Sequence, residues 1–319
     1  MTGLRLRRFW PGLLVVGAIA LSAPGVAGAA FPGRDGRISY IEDIRGRIVS
    51  VHLGGGHDRV LASPPHGGAG TSAYKPDGRK ILFDTETLET RSSTALYLKR
   101  ASGRGRARRL TRPFDPHGRI GADFAADWSP DGQSFVFVRD YTSFSGPPAS
   151  PKVGLCASAW FCIRIYHRGR TRPLVAYSRD SLTWDAKPVW SVRGWIAFLR
   201  GGDIWVIRPD GSGERRLVNT SDYNGSLDWS PNGRRLVLVE NSSELVTVGA
   251  DGRHLRHLGR HGHDPAYSPD GRRIVYQGTG GNRNRLWTID LHGGTRRLVR
   301  TRYGAVGPDW QPRPRRHQR

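Results

Sequence analysis

The sequence predicts an all-β fold built from repeated four-stranded antiparallel sheets, and three observations lead to this prediction. One turn phrase, an aromatic residue followed by Ser-Pro-Asp-Gly or a close variant, recurs along the chain. Between its copies, Asp-Gly or Gly-Gly pairs separate further apolar segments of strand length. Residues that populate exposed helix faces are scarce, since 6 Glu and 5 Lys stand against 21 Asp in 319 residues.

The turn phrase has a mechanical meaning that predicts one hairpin for each copy. Its proline holds φ near about −65° at the first central position of a tight turn, Asp or Asn tolerates the second, and Gly accepts the positive φ that closes the hairpin. The segment after each turn is rich in β-branched, Leu or Phe residues. The copies span residues 74–79, 128–132, 229–234 and 267–272, with a degenerate fifth copy at 190–194.

A second hairpin follows the first in each repeat. Apolar segments of strand length lie on both sides of an Asp-Gly or Gly-Gly pair, which is a strong short-range hairpin signal. Each repeat is therefore predicted to be a four-stranded meander of about forty residues. The clearest examples pair residues 203–207 with 216–218, 245–248 with 255–258, and 286–289 with 297–299.

The two ends of the chain supply a sixth repeat. A lone four-stranded sheet cannot bury both of its faces, whereas copies stacked face to face around an axis bury them when the ring closes. Residues 35–41 look like the outgoing half of the phrase, and residues 306–312 look like the incoming half. The sequence therefore predicts a six-bladed β-propeller of four-stranded antiparallel blades, closed by N- and C-terminal strands that share one blade.

The phrases that begin at Tyr74, Trp128, Trp229 and Tyr267 resemble the Trp-Ser-Pro-Asp-Gly repeats of the TolB-type, WD-like propeller family. The resemblance covers nearly all of the chain after residue 29, and it implies the fold without implying an activity. TolB itself carries an additional α/β domain before its propeller, for which the sequence leaves no room between residues 30 and 36. The resemblance therefore implies a TolB-type propeller and not TolB itself.

Residues 1–29 have the pattern of a secretory signal peptide. Three arginines precede an apolar stretch at 13–23, and the Ala-Gly-Ala at 27–29 offers the small side chains that a signal peptidase accepts. We predict cleavage after Ala29, a propeller domain at 30–312 and a basic, disordered tail at 313–319. An uncleaved membrane anchor is the alternative, although prolines and glycines interrupt the apolar stretch.

The net charge of +23 points to anionic partners. An exported basic protein does not normally meet nucleic acid, so acidic polysaccharides or other envelope polyanions are the expected electrostatic partners. The alternative is that the charge has no ligand, because the arginines are scattered along the chain rather than clustered. After signal cleavage no transmembrane span is expected, and a monomer is predicted.

Cys156 and Cys162 are the only cysteines in the sequence. In an exported chain, an even count and a short separation predict one disulfide, which would staple the insertion at residues 141–161. Two cysteine ligands alone make a poor zinc site. The prediction is therefore a disulfide and no structural metal.

Three carboxylates precede the aromatic residue of alternate repeats. Asp127, Asp228 and Asp309 hold this position in blades three, five and one, whereas apolar residues hold it in the others. These side chains are candidates to line the central channel, where a hydrated divalent cation is one expectation and no other cofactor is expected. The alternative is that each Asp accepts backbone N–H groups from a neighbouring blade and fixes the packing between blades.

The remaining candidate chemistry lies in a His-rich segment, predicted to be the loop that leads into blade six. His261, His263 and Asp264 are weak catalytic candidates, with His257 beside them and His117 on the loop that leads into blade three. Solvated histidines are the alternative. Asp-Tyr-Asn-Gly at 222–225 is a fragment of a calcium-loop pattern that lacks the other oxygen ligands, so a turn is predicted there.

Two functions follow from these observations. The first is an exported, non-enzymatic propeller that acts as a binding or scaffolding module for an envelope or extracellular protein, a peptide or an anionic polysaccharide. The second is a lyase-like, polysaccharide-active enzyme that uses the channel-mouth histidines and arginines. The sequence contains no Gly-x-Ser-x-Gly, no His-Glu-x-x-His and no phosphate-cradling loop, which favours the first function.

Overall fold

The computed structural model describes residues 30–64, 68–86, 94–113, 121–140, 161–177, 187–219, 226–279, 285–292, 294 and 296–313. Within these ranges the secondary structure consists of antiparallel β-strands and turns, and no helix is present. No helix in this part of the chain could therefore cross a membrane. The all-β prediction is confirmed.

Four of the sheets have four strands each. The first contains β1 (Arg34–Glu42), β2 (Ile48–Val51), β3 (Arg59–Ala62) and, at its other edge, β23 (Ala305–Arg313). The second contains β4 (Ala69–Tyr74), β5 (Lys80–Glu86), β6 (Thr94–Arg100) and β7 (Arg108–Arg109). The third contains β8 (Ala122–Trp128), β9 (Ser134–Asp140), β10 (Phe161–His167) and β11 (Arg170–Tyr177). The fourth contains β12 (Val189–Trp190), β13 (Ile196–Arg200), β14 (Asp203–Ile207) and β15 (Arg215–Val218).

The fifth sheet has seven strands, and each strand pairs with the strand that follows it in the chain. Its members are β16 (Leu227–Trp229), β17 (Arg235–Glu240), β18 (Glu244–Gly249), β19 (Arg256–Tyr267), β20 (Arg273–Gly278), β21 (Arg285–Asp290) and β22 (Arg296–Val299). Together the sheets form a propeller-like arrangement of four-stranded antiparallel blades.

The predicted turn geometry is present at each near-consensus copy of the phrase. The glycine that ends the turn donates its N–H to the carbonyl three residues earlier, as from Gly78 to Lys75 (2.7 Å) and from Gly132 to Ser129 (2.8 Å). Both glycines have positive φ, at 65° and 63°. The local rule that predicted these hairpins is therefore sufficient to explain them.

The terminal strands meet in one sheet, as the sequence predicts. β1 pairs antiparallel with β23, and Ile38 lies opposite Trp310. The Trp310 side chain is only 2% exposed. Strand β23 extends to Arg313, so this residue belongs to the sheet and not to the basic tail in which the domain prediction placed it.

The predicted loop that holds His261, His263 and Asp264 is wrong, because these residues lie inside one long strand, β19, which also contains residues 256–258 of the predicted strand at 255–258. The first part of β19 pairs with β18, where His261 lies opposite Glu244. The second part pairs with β20, where Gly262 lies opposite Gly278. Each part obtains its backbone hydrogen bonds from a different neighbouring strand. The sequence did not indicate these pairings, because the segment is rich in Gly, His and Arg and has no alternating apolar residues.

The core lies between the faces of successive sheets. One buried cluster joins the third and fourth sheets through Phe161 and Phe198, and another joins the fourth and fifth through Val206 and Trp229. Six strands contain the aromatic residue of a repeat and are called the inner strands here. They are β4, β8, β12, β16, β19 and β23. They contact one another in the order β23, β4, β8, β12, β16, β19, and β19 contacts β23.

Several predictions lie outside the described residues. These are the signal peptide with its cleavage site, His117, Cys156 with most of the 141–161 insertion, the turn at 222–225 and the tail from residue 314. They stay predictions.

Candidate functional site

Three buried carboxylates on inner strands connect neighbouring inner strands. Asp127, Asp228 and Asp309 are 0%, 0% and 3% exposed. Each accepts a hydrogen bond from the backbone N–H of the aromatic residue that ends the next inner strand. The donors are Trp190 to Asp127 (2.6 Å), Tyr267 to Asp228 (2.7 Å) and Tyr74 to Asp309 (2.8 Å).

These hydrogen bonds are the ones expected if the three carboxylates fix the packing between blades. A buried N–H without an acceptor is costly, and a carboxylate acceptor makes a stronger bond than a neutral one. Three of the inner strands therefore supply an acceptor to the inner strand that follows. The sequence sets this arrangement, because an Asp directly precedes the aromatic residue in alternate repeats.

The three carboxylates also act on one another electrostatically. Burial raises the pKa of Asp228 well above its usual range, and the charges of Asp127 and Asp309 raise it further. Burial and the charge of Asp127 likewise raise the pKa of Asp309. Ionisation of these carboxyl groups is therefore unfavourable, and a positive group near them would favour their ionised forms.

Direct ligation of one ion by all three carboxylates is not supported by their geometry. Among the described residues, the group whose ligand atoms lie within 4.8 Å of one another consists of Glu240, Glu244 and His257, and it includes none of the three Asp residues. A hydrated divalent cation held through water by Asp127, Asp228 and Asp309 stays a prediction.

A second buried polar network lies three residues before the aromatic residue of three successive repeats. Lys187 donates from Nζ to Oγ of Ser226 (3.1 Å), and Ser226 donates to Oδ1 of Asp264. All three side chains are buried. The backbone of Gly307, at the same position in another repeat, also hydrogen-bonds to the Asp264 carboxylate.

This network compensates only part of the cost of burying the Asp264 carboxylate, because Oδ1 accepts from Ser226 whereas Oδ2 has no hydrogen bond of ordinary geometry in the described part of the chain. Burial raises the pKa of Asp264, and the charge of Lys187 and the Ser226 hydroxyl partly offset the increase. Asp264 has a φ of +49° at the register shift between His263 and Ala266, and this bulge directs its side chain. Lys187 and Ser226 were missed from the sequence, although their shared position three residues before an aromatic residue is a signal that could have found them.

The structure does not join the predicted catalytic residues into one hydrogen-bonded set. His261 is exposed and contacts Ser243 through Nδ1 (3.2 Å), whereas Asp264 is buried with Ser226. The positive charge of His263 acts on Asp264, but no hydrogen bond joins the two side chains among the described residues. His257 instead pairs with Glu244 (2.9 Å).

Cys162 lies in β10 and is fully buried. Its predicted partner, Cys156, lies outside the described residues. The predicted disulfide between them therefore stays a prediction.

No protein-family model matches the chain. Over 123 residues it is 32% identical to the Tol-Pal system protein TolB of Anaeromyxobacter sp. (strain K), a match that covers 36% of this chain and 28% of that relative. The TolB crystal structure from Acinetobacter baumannii superposes with a TM-score of 0.65 and 21% identity, covering 87% of this chain and 67% of that one.

A structure of a nidogen/laminin complex contains a chain that matches with a TM-score of 0.62 and 13% identity, covering 87% of this chain and 99% of that one. The structural similarities show the fold alone. The sequence match spans less than a third of the length of the curated TolB relative. The chain is thus similar to TolB proteins over part of its sequence, and its fold resembles that of the TolB crystal structure.

Proposed function

We propose that this protein is an exported, non-enzymatic propeller that binds or scaffolds other molecules in the cell envelope. The observation that carries the proposal is the use of its inner carboxylates. Asp127, Asp228 and Asp309 all accept backbone N–H groups from the next inner strand, which makes them part of a rigid framework. A rigid framework that presents loops at its rims suits recognition.

We propose six blades in a closed ring for this framework. The seven-stranded sheet counts as two blades if β19 serves as the outer strand of one through its pairing with β18 and as the inner strand of the next through its pairing with β20. The contacts of the inner strands support closure, because β19 contacts β23. Closure leaves no blade with an uncovered face.

The location is proposed from two independent features. Residues 1–29 have the pattern of a signal peptide. The relatives that match in sequence are named Tol-Pal system proteins. The partner is then an envelope or extracellular protein, a peptide or an anionic polysaccharide, and the positive charge of the chain favours anionic surfaces on it.

The experiment that tests this role is capture from the envelope fraction, using the exported protein with a C-terminal tag. We expect one envelope component to be enriched over an unrelated exported protein with the same tag, and to rebind when both are purified. Competition by heparin separates an anionic glycan partner from a protein contact. No enrichment over the control, in repeated captures with cross-linking, contradicts the binding role.

The same preparation tests the enzymatic alternative. Incubation with acidic polysaccharides is expected to release no new reducing ends. Release that disappears in the doubly substituted His261→Ala, His263→Ala protein would replace the binding role with a polysaccharide-active one. Unchanged capture in that doubly substituted protein is the result expected of a binding module.

A further inference from the structure

The first described residues of the chain run into the middle of the inner strands. Ala30 is 5% exposed and packs with Val237 and Tyr267 of the seven-stranded sheet. Phe31 is also buried, but it packs with Ala73 and Trp128 of the second and third sheets. This short segment therefore contacts sheets that lie far apart in the chain.

The backbone nitrogen of Ala30 reaches the carboxylate cluster. It donates to Oδ1 of Asp228 at 3.1 Å, while Oδ2 of the same carboxylate accepts from Tyr267. Asp127 and Asp309 both act on Asp228 with like charge. The atom next to this cluster is thus the one that becomes the α-amino group if the chain is cut after Ala29.

We propose that signal cleavage after Ala29 creates a buried ammonium group at Ala30 that pairs with Asp228 and locks the inner strands together. The step is hydrolysis by a signal peptidase: water adds across the peptide bond, the carboxylate leaves with Ala29, and the nitrogen of Ala30 becomes an ammonium. The neutral N–H donor of Ala30 is thereby replaced by a positive charge beside Asp228, on which Asp127 and Asp309 act with like charge. A charge-assisted hydrogen bond in a buried site is stronger than the neutral one that it replaces.

This pairing couples processing to folding. While residues 1–29 are attached, the nitrogen of Ala30 is an amide and donates a neutral hydrogen bond to Asp228. Removal of residues 1–29 converts this nitrogen into an ammonium, which supplies a positive charge to the carboxylate. The chain would therefore reach its full stability only after export. The proposal does not depend on any partner, so it can hold or fail independently of the proposed binding role.

The first measurement is the mass of the exported protein, which is expected to begin at Ala30. The second compares that protein with one carrying a single extra Gly before Ala30, which restores an amide at the critical nitrogen. We expect the extension to lower the equilibrium constant for folding by about tenfold in urea unfolding. In the Asp228→Asn background the same extension is expected to have an effect of less than about twofold.

Three outcomes would overturn the proposal: a mature chain that begins elsewhere, equal stability of the extended and unextended proteins, or a difference that persists in the Asp228→Asn background. A chelator provides a further arm. If a divalent cation rather than the ammonium neutralises the cluster, EDTA lowers the melting temperature of the unextended protein and the extension does not.

A separate feature is a basic cleft between the first and second sheets. It has a volume of about 380 Å³, and Arg37, His52, Arg59, Arg79, Gln311 and Arg313 are among its lining residues. In the part of the chain that the structure describes, no Asp or Glu lines the cleft. Among the described residues, none of its four arginines forms an ion pair.

Arg37 forms the floor of the cleft and is held in place by neutral acceptors. Arg37 is 6% exposed. Its guanidinium donates to Oγ of Ser50 (3.0 Å), to the Ser50 carbonyl (2.8 Å) and to the His57 carbonyl. Its Nη1 contacts Nε2 of His52 (2.6 Å). Burial and the charge of Arg59 lower the pKa of Arg37, and Asp58 offsets this only in part. The cleft therefore carries positive charge that nearby carboxylates do not neutralise.

We propose that this cleft binds a phosphate group. Several guanidinium forks facing one small cavity match the oxygens of a multiply charged tetrahedral anion. The volume lies within the range of ligand sites and leaves room for a group attached to the phosphate. The phosphate could belong to a free monoester or to a phosphodiester, and these two sources share the same recognition chemistry.

Calorimetry with inorganic phosphate and with dimethyl phosphate, at constant ionic strength, tests this site. We expect saturable binding of one anion, weakened at least about tenfold when Arg59, Arg79 and Arg313 are all replaced by Gln. The matched control replaces Arg234, Arg253 and Arg272, which are exposed residues between strands of the seven-stranded sheet. This control is expected to change the affinity by less than about twofold. Preference for phosphate indicates a monoester, and preference for dimethyl phosphate indicates a diester. Absence of saturation, or equal losses in both triple variants, would refute the site.

Discussion

Deletion of residues 306–319 is expected to abolish the single cooperative unfolding transition of this protein. The deletion removes nearly all of β23, and with it the pairing of β1 and the acceptor that Asp309 provides to Tyr74. It also removes Trp310, whose loss from a buried site alone costs about 3–5 kcal/mol. Domains of this kind have total stabilities of only about 5–15 kcal/mol, so the remaining chain should melt broadly or not fold. Circular dichroism and calorimetry measure the transition.

Two further variants make this prediction decisive. Deletion of residues 314–319, which lie beyond β23, is the matched control and should shift the melting temperature by no more than about a degree. Trp310→Ala keeps the strand and should lower the unfolding free energy by about 3–5 kcal/mol. A protein lacking 306–319 that melts like the full chain would show that the pairing of the terminal strands does not stabilise the fold.

Replacement of Asp228 by Ala is expected to lower the free energy of unfolding by about 2–4 kcal/mol. The change leaves two buried N–H groups, those of Ala30 and Tyr267, without their acceptor. Relief of the cost of burying the carboxylate offsets a part of this loss. Urea unfolding followed by Trp fluorescence measures the change.

The control for this prediction is Asp43→Ala, which removes an exposed carboxylate and should change the unfolding free energy by less than about 0.5 kcal/mol. Equal stabilities of the Asp228→Ala and Asp43→Ala proteins would mean that the hydrogen bonds accepted by Asp228 do not stabilise the fold. Asp127 and Asp309 occupy the same position in other repeats, so Ala at either is expected to act in the same direction.

Much of the fold follows from local patterns. The hairpins joined at Gly78 and Gly132 form where proline, Asp and Gly dictate them, because a tight turn constrains only adjacent residues. The middle of strand β19 was mispredicted as a loop for the converse reason. Residues 259–264 contain glycines and histidines without an apolar alternation, and their extended conformation comes from pairing with two different strands.

The candidate site was predicted less completely. The sequence identified Asp127, Asp228 and Asp309 by their position before the aromatic residues, and it offered both a channel-lining and a packing interpretation. It identified Asp264 as a candidate beside two histidines, whereas the structure surrounds this residue with Lys187 and Ser226. Such partners come from separate repeats, and no local pattern connects them.

The amino-acid order was thus sufficient for the repeat, its turns and the antiparallel meanders. These properties depend on backbone preferences and on apolar periodicity, which act over a few residues. The joining of the two ends was predicted because each end carries one half of the repeated phrase. The partners of the buried polar groups became known only from the assembled sheets. The bond between Tyr74 and Asp309 spans 235 positions, and that between Ala30 and Asp228 spans 198. Contacts over such distances depend on how the sheets stack, since burial forces each polar group to find an acceptor wherever the neighbouring sheet places one.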